Sequence, residues 1–223
     1  MKKKHLWIIG ILTIFVFISI PTIHILKTKW NEKDISGEIP KGYTNDASQL
    51  NLTKIDTIIE VSNDKKEIEI QLKNVLKYAK DNKLKISIAG AKHSMGGHTI
   101  YPNGIVLNML PYKQMEIDTT NNILTIGSGA LWEEALKFLD KYGKSIAIMQ
   151  AFSSFSVGGS ISVNGHGWQK DLPPISASVI SFTLLKQDGE VVNCSRTENQ
   201  ELFSLVIGGY GLFGIILDVK LNV

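Results

Sequence analysis

With one cysteine, Cys194, in 223 residues, the chain has no means of forming an internal disulfide or a cysteine-based zinc cluster. Placed in a Val-Val-Asn-Cys-Ser run, that cysteine reads as a small buried hydrophobe rather than a reactive thiol. Charge of one sign is also scarce. Lys and Arg number 24 against 21 Asp and Glu, and the excess is scattered rather than gathered into a stripe. Nucleic acid is therefore excluded as a partner. The chain has no internal repeat, no low-complexity tract and no Walker phosphate loop. His93 and His98 stand five apart on a glycine-rich stretch, without the helical spacing or the intervening acid of a metalloprotease site, so no metal is expected.

The N-terminus lacks charge altogether where it is most apolar. Residues 6–26 contain no Asp, Glu, Lys or Arg, and as a helix they would span about 30 Å, the thickness of a bilayer's hydrocarbon core. Residues 1–5 supply the basic flank Lys2, Lys3 and Lys4. The exit, Thr28-Lys29-Trp30, is not the small-residue site of a cleaved signal. A single-pass anchor in the lipid bilayer is expected, with the lysine cluster inside and the remaining domain on the non-cytoplasmic side. Residues 27–44 are polar and carry Gly and Pro, as a linker would, and a domain is expected over 45–223.

Within that domain the hydrophobic period alternates. Ile55–Val61 reads as a strand. Residues 65–83 place Ile68, Leu72, Val75, Leu76 and Ala79 on one helical face. Strands are expected at 85–89, 104–109 and 123–129, and a second amphipathic helix at Leu131–Tyr142. Near the end, Gln187-Asp188-Gly189 sits between two β-branched runs, a hairpin signal. A short helix over 198–207 and a last strand follow. The fold class is α+β.

The chemistry concentrates in two glycine-rich stretches. Ala89–His98, AGAKHSMGGH, follows a strand. It is not a nucleophile elbow, because Lys92 occupies the first glycine slot around Ser94. Nor is GSGALW from Gly127 a Rossmann fingerprint, since tryptophan stands where the third glycine belongs. An anion-binding nest of backbone N–H groups, aided by Lys92 and Ser94, fits better, although any strand-to-loop bend also uses glycine. The second stretch, Phe152–Trp168, interleaves Gly158, Gly159, Gly165 and Gly167 with Ser156, Ser160 and Ser162. With GGYGLFGII near the end, it suggests a large ligand approached closely by backbone.

The ordered set AGAKHSMGG, IGSGALWEEALKFLDKYG, SVGGSISVNGHG, LLKQDGEVVNCS and ELFSLVIGGYGLFGIILDV resembles the FAD-binding domain of the p-cresol methylhydroxylase and vanillyl-alcohol oxidase family. The resemblance runs from about Asn45 to the C-terminus and implies a two-part FAD-binding domain. It implies that Ala89, Gly90, Ala91, Lys92, His93, Ser94, Met95, Gly96 and Gly97 hold the FAD pyrophosphate, continued by Ser156, Val157, Gly158 and Gly159. Val163, Asn164, Gly165 and His166 would lie near the flavin, and Ile216 would touch the cofactor through its backbone. His93 occupies the place where several members carry a histidine bonded to the flavin 8α carbon; the alternative is an imidazole hydrogen-bonded in the loop. His98 is expected to be only a polar loop residue. The implied activity is that of a FAD-linked oxidase or dehydrogenase taking hydride from a CH–OH group of a small alcohol, sugar or lactone. The family's substrate domain is not found in residues 45–223. A truncated enzyme, or a non-catalytic or split module needing a partner chain for that domain, is therefore the alternative, and the catalytic base is unknown.

Overall fold

The computed structural model describes residues 3–31 and 38–223. They fall into two units, the first ending at Glu38 and the second spanning Ile39–Val223. Among its described residues the first unit contains one helix, α1 (Lys3–Asn31). From Trp7 to Asn31 it contains an 18-residue window of mean hydropathy 2.3, none of it buried. The hydroxyls of Thr13, Thr22 and Thr28 donate to the carbonyls four residues earlier, at 2.7–2.9 Å. Such bonding satisfies polar groups inside the segment, as hydrocarbon surroundings require. By length and composition, α1 suffices to cross a membrane.

Of the expected basic stretch 1–5, residues 1 and 2 lie outside the described residues. Of the expected linker 27–44, residues 27–31 continue α1, residues 32–37 lie outside the described residues, and the last two positions form a strand. That strand, β1 (Tyr43–Thr44), pairs antiparallel with β2 (Thr53–Lys54).

Beside this two-stranded ribbon, the second unit holds two larger sheets. In the first, β3 (Thr57–Glu60), β4 (Ile86–Ala89) and β5 (Ile105–Asn108) run parallel in the order β3-β5-β4. Helix α2 (Lys65–Asp81) makes the crossover between β3 and β4. It starts where the Asp64 carboxylate accepts from the backbone N–H groups of Lys66 and Glu67. Ile68, Leu72, Val75 and Ala79 of α2 are buried, with Leu76 packed beside them.

The second sheet is antiparallel, in the order β6-β7-β10-β8-β9. Its strands are β6 (Met115–Asp118), β7 (Ile123–Gly127), β8 (Val179–Leu185), β9 (Val191–Ser195) and β10 (Ile215–Asn222). The Asp188-Gly189 turn joins β8 to β9, with Lys186 N–H donating to Glu190 O at 2.9 Å. Helices α3 (Trp132–Asp140), α4 (Val157–Ser162) and α5 (Gln200–Val206) complete the unit. The last strand, β10, lies between β7 and β8, and both of its faces are covered. Ile216, Val219 and Leu221 pack with Trp132, Leu139 and Phe182. Ile215 and Leu217 pack with α2 and the parallel sheet. The switch of phase between Leu217 and Val219 coincides with a bulge, and burial on both faces accounts for the three successive apolar residues, Ile215–Leu217, that open the strand.

Three features differ from the sequence expectation. Strand β6 is an edge strand of only four residues, too short to show a period. The ribbon β1–β2 lies partly in the expected linker. Helix α4 forms inside the glycine–serine stretch, where glycine is a poor helix former. Tertiary bonds impose it: Val157 N–H donates to Ala130 O and Gly158 N–H to Ser128 O, while Val157 and Ile161 are fully buried.

Candidate functional site

A cavity of about 330 Å³ opens where the C-terminal edge of the parallel sheet meets the antiparallel layer. That edge is where open α/β sheets place ligands. Four segments build the walls: Gly90–Met95 after β4, Ser128 after β7, Phe155–Gly159 at the start of α4, and Tyr210–Ile216 leading into β10. Ile88, Met109, Val206 and Phe213 add apolar lining.

The first two glycine stretches interlock. A Cβ on Gly90 would sit 2.9 Å from Ser156 Cβ and nearer still to its Oγ. Only glycine lets the loop lie against Ser156, whose Oγ accepts from Ala91 N–H at 3.3 Å. Likewise a Cβ on Gly158 would meet Ser128 Cβ at 2.8 Å. The two loops therefore form one continuous wall.

Backbone donors are spare along that wall. Among the described residues, the N–H groups of Lys92, His93, Ser94 and Met95 have no protein acceptor, and neither has Gly159 N–H. Two hydroxyls are stranded as well. Ser128 Oγ and Thr99 Oγ1 are buried without a hydrogen-bond partner, and both residues line the cavity. Buried polar atoms are rarely left unpaired, so the cavity is lined with donors for a polar, acceptor-rich group. Lys92 holds a left-handed φ of 54°, and its Nζ lies 3.3 Å from Thr44 Oγ1.

The half-buried His93 stacks on Phe155, with ring centroids 4.3 Å apart. Its Nε2 is 3.2 Å from Ser154 O. A carbonyl oxygen only accepts, so Nε2 carries the proton, and in the neutral ring Nδ1 keeps its lone pair. His98, expected as a bare loop residue, reaches the cavity. Its Nδ1 is 2.8 Å from Ser94 Oγ, and its ring lies 5.2 Å from that of Tyr210.

Of the residues singled out from the sequence, Gly90, Ala91, Lys92, His93, Ser94, Met95, Ser156, Gly158, Gly159, Val163 and Ile216 line the cavity. Ala89, Gly96, Gly97, Val157, Asn164, Gly165 and His166 do not. Ala89 is buried under the loop, and His166 is exposed. Ser128, Thr99, Gln150, Phe155, Tyr210 and Phe213 belong to the lining without having been singled out. Phe155, Ser128, Tyr210 and Phe213 fall inside stretches that the glycine pattern marks, while Thr99 and Gln150 carry no such signal. Cys194 is buried in the core, its thiol pushed up by burial. No cluster of metal-ligating side chains exists among the described residues.

Comparison with known proteins follows this geometry. A family model described as an FAD binding domain matches residues 69–195. Cytokinin dehydrogenase 2 of Arabidopsis thaliana is 29% identical over 153 residues, covering 67% of this chain and 30% of that protein. L-gulonolactone oxidase of Mus musculus is 27% identical, covering 68% and 34%. Among solved structures, 6-hydroxy-D-nicotine oxidase of Arthrobacter nicotinovorans superposes with a TM-score of 0.64 at 26% identity, covering 69% of this chain and 34% of that one. The chain thus spans about a third of the length of these relatives.

Proposed function

This chain belongs to the FAD binding domain family and its cofactor is FAD; from that premise we propose that it is the cofactor-holding part of a membrane-anchored oxidoreductase acting on CH–OH groups. The observation that carries the reading is the stranded donor set: free N–H groups at Lys92–Met95 beside the unpaired hydroxyls of Ser128 and Thr99. A pyrophosphate offers oxygens in the number such a set needs. The Gly90–Met95 loop, Ser94, Ser156, Gly158 and Gly159 would hold that group, and Ile216 would meet the cofactor at the start of β10. Of the Val163–His166 turn, Val163, which lines the cavity, would touch it.

Bound FAD would supply the hydride acceptor. The protein's own tasks are to orient the cofactor and to keep water from it. Ile88, Met109, Val206 and Phe213 give the cavity an apolar lining for a ring system. His93, with its Nε2 proton on Ser154 O and a lone pair left on Nδ1, would tether the cofactor covalently through Nδ1. The donor we assign is a small alcohol, sugar or lactone, in keeping with the lactone oxidase among the relatives. Anchoring rests on α1, which meets the length and composition of a membrane span, with the domain on the non-cytoplasmic side. In this reading α1 stays uncleaved, with Thr28-Lys29-Trp30 at its end in place of a small-residue cleavage site.

The test is the flavin content of the full chain purified in detergent and supplied with FAD. Yellow colour that stays with acid-precipitated protein, and leaves it in His93→Ala, supports the tether. Retention of colour by the His93→Ala precipitate would refute it. Absence of any flavin spectrum would refute the function.

A further inference from the structure

Resting on the reading of Gly90–Met95 as the pyrophosphate cradle, we infer that Asp46 is a positioning residue for cofactor binding, clamping that loop from the segment Thr44–Asn51. Asp46 is 3% exposed and each carboxylate oxygen accepts twice. Oδ1 takes Ser48 N–H at 3.0 Å and the Ser48 hydroxyl at 2.6 Å. Oδ2 takes Gly97 N–H and the Asn51 side-chain amide, both at 2.8 Å.

The clamp has further points of attachment on the same loop. Asn51 Nδ2 also donates to Met95 O at 3.1 Å. Ala47 N–H donates to Lys92 O at 3.2 Å, and Lys92 Nζ reaches Thr44 Oγ1. His93 and Ser94 are thus bracketed by bonds at Lys92, Met95 and Gly97. Each of those bonds takes a carbonyl, or the Gly97 N–H, out of play. Between those points the N–H groups from Lys92 to Gly96 have no protein acceptor among the described residues. The left-handed Lys92 also needs such bracing, since unfavourable backbone geometry persists only where neighbours over-determine it.

Only a carboxylate accepts at both atoms from four donors. An asparagine would turn an N–H₂ group toward two of them, whichever way it lay. Asp46→Asn therefore loosens the loop while removing a negative charge from near a phosphate site. Coulomb's law alone predicts tighter anion binding for this variant; the clamp predicts weaker binding. The sign of the effect separates the two.

The experiment measures ADP affinity of the full chain in detergent by calorimetry, with amide hydrogen exchange across residues 90–98. Asp46→Asn should bind ADP about tenfold more weakly or worse, with faster exchange confined to that loop. Asn51→Ala, which keeps the carboxylate but drops the amide bonds to Asp46 and Met95, should weaken ADP about fivefold. This second variant answers the question if the first does not fold. Unchanged or tighter ADP binding in a folded variant would overturn the clamp and leave the cradle standing. Failure of the wild-type chain to bind ADP would overturn the cradle and the clamp with it.

Discussion

Replacing Gly90 by alanine probes how closely the two walls of the cavity fit. The added Cβ would lie 2.9 Å from Ser156 Cβ and closer to Ser156 Oγ. Rotating Ser156 moves the hydroxyl away but forfeits its bond from Ala91 N–H, and the carbon–carbon contact remains in every rotamer. Ser156 has little room to retreat, since its carbonyl accepts from Ser160 N–H and the Ser160 hydroxyl at 2.9 and 2.8 Å. Val157 N–H is bonded to Ala130 O as well. Ordinary contact at 3.5–4.0 Å then requires the loops to part by about 0.6–1.1 Å. Overpacking of this kind costs about 1–3 kcal/mol, or a Tm lower by about 2–12 °C for a unit of this size. Calorimetric melts and FAD titrations of Gly90→Ala should show that loss together with about tenfold weaker FAD binding. Adding Ser156→Gly removes both obstructing atoms. The double variant should therefore be more stable than the two single effects predict by about 1 kcal/mol or more. Strict additivity, or a Gly90→Ala chain that melts and binds like wild type, would refute the interlock.

Ser128→Ala removes a hydroxyl that pays for its burial with no protein hydrogen bond. The apo chain should melt at the same temperature or higher, while FAD affinity should fall by about fivefold or more; a lower Tm with unchanged affinity would contradict the assignment. Tyr112 is fully buried and its hydroxyl donates to Asp218 at 2.8 Å, with Lys65 on the other carboxylate oxygen at 2.9 Å. Tyr112→Phe should cost about 1–3 kcal/mol near neutral pH, by chemical denaturation. Burial, then the bond to Asp218, raises the phenol's pKa far above its ordinary value. Above pH ~10 the unfolded chain therefore binds fewer protons than the folded one, and stability falls with pH. Phenylalanine has no such loss, so the gap between the two proteins should narrow in that range. At the acid end, burial raises the Asp46 carboxyl but bonds from Ser48, Gly97 and Asn51 outweigh it and hold the pKa below the usual value. Its contribution is present above pH ~4 and is lost as pH falls through the lowered value, so acid melts of Asp46→Asn should converge on wild type.

Much of the architecture was legible because strong local signals agreed with tertiary demand. The apolar face of α2, the Asp188-Gly189 hairpin and the closing strand all lie where period and turn residues place them. Helix α4 was not legible, since Gly158 and Gly159 argue against a helix and only the bonds to Ala130 and Ser128 create it. The site divides in the same manner. Glycine marks Gly90 and Gly158 in the sequence because each must clear another backbone or a short side chain. The unpaired hydroxyls of Ser128 and Thr99 carry no mark, because that condition exists only once their surroundings are assembled. Asp46 sat unnoticed among polar residues for the same reason: its donors come from positions up to 51 residues away.

The central claim is that FAD lies in this one cavity with its pyrophosphate on the Lys92–Met95 amides. A crystal structure of the full chain loaded with FAD tests it most directly. The account predicts pyrophosphate oxygens within hydrogen-bond distance of those N–H groups and of Ser128 Oγ. Pyrophosphate bound elsewhere, with the Lys92–Met95 amides and Ser128 Oγ still unpaired, would contradict it.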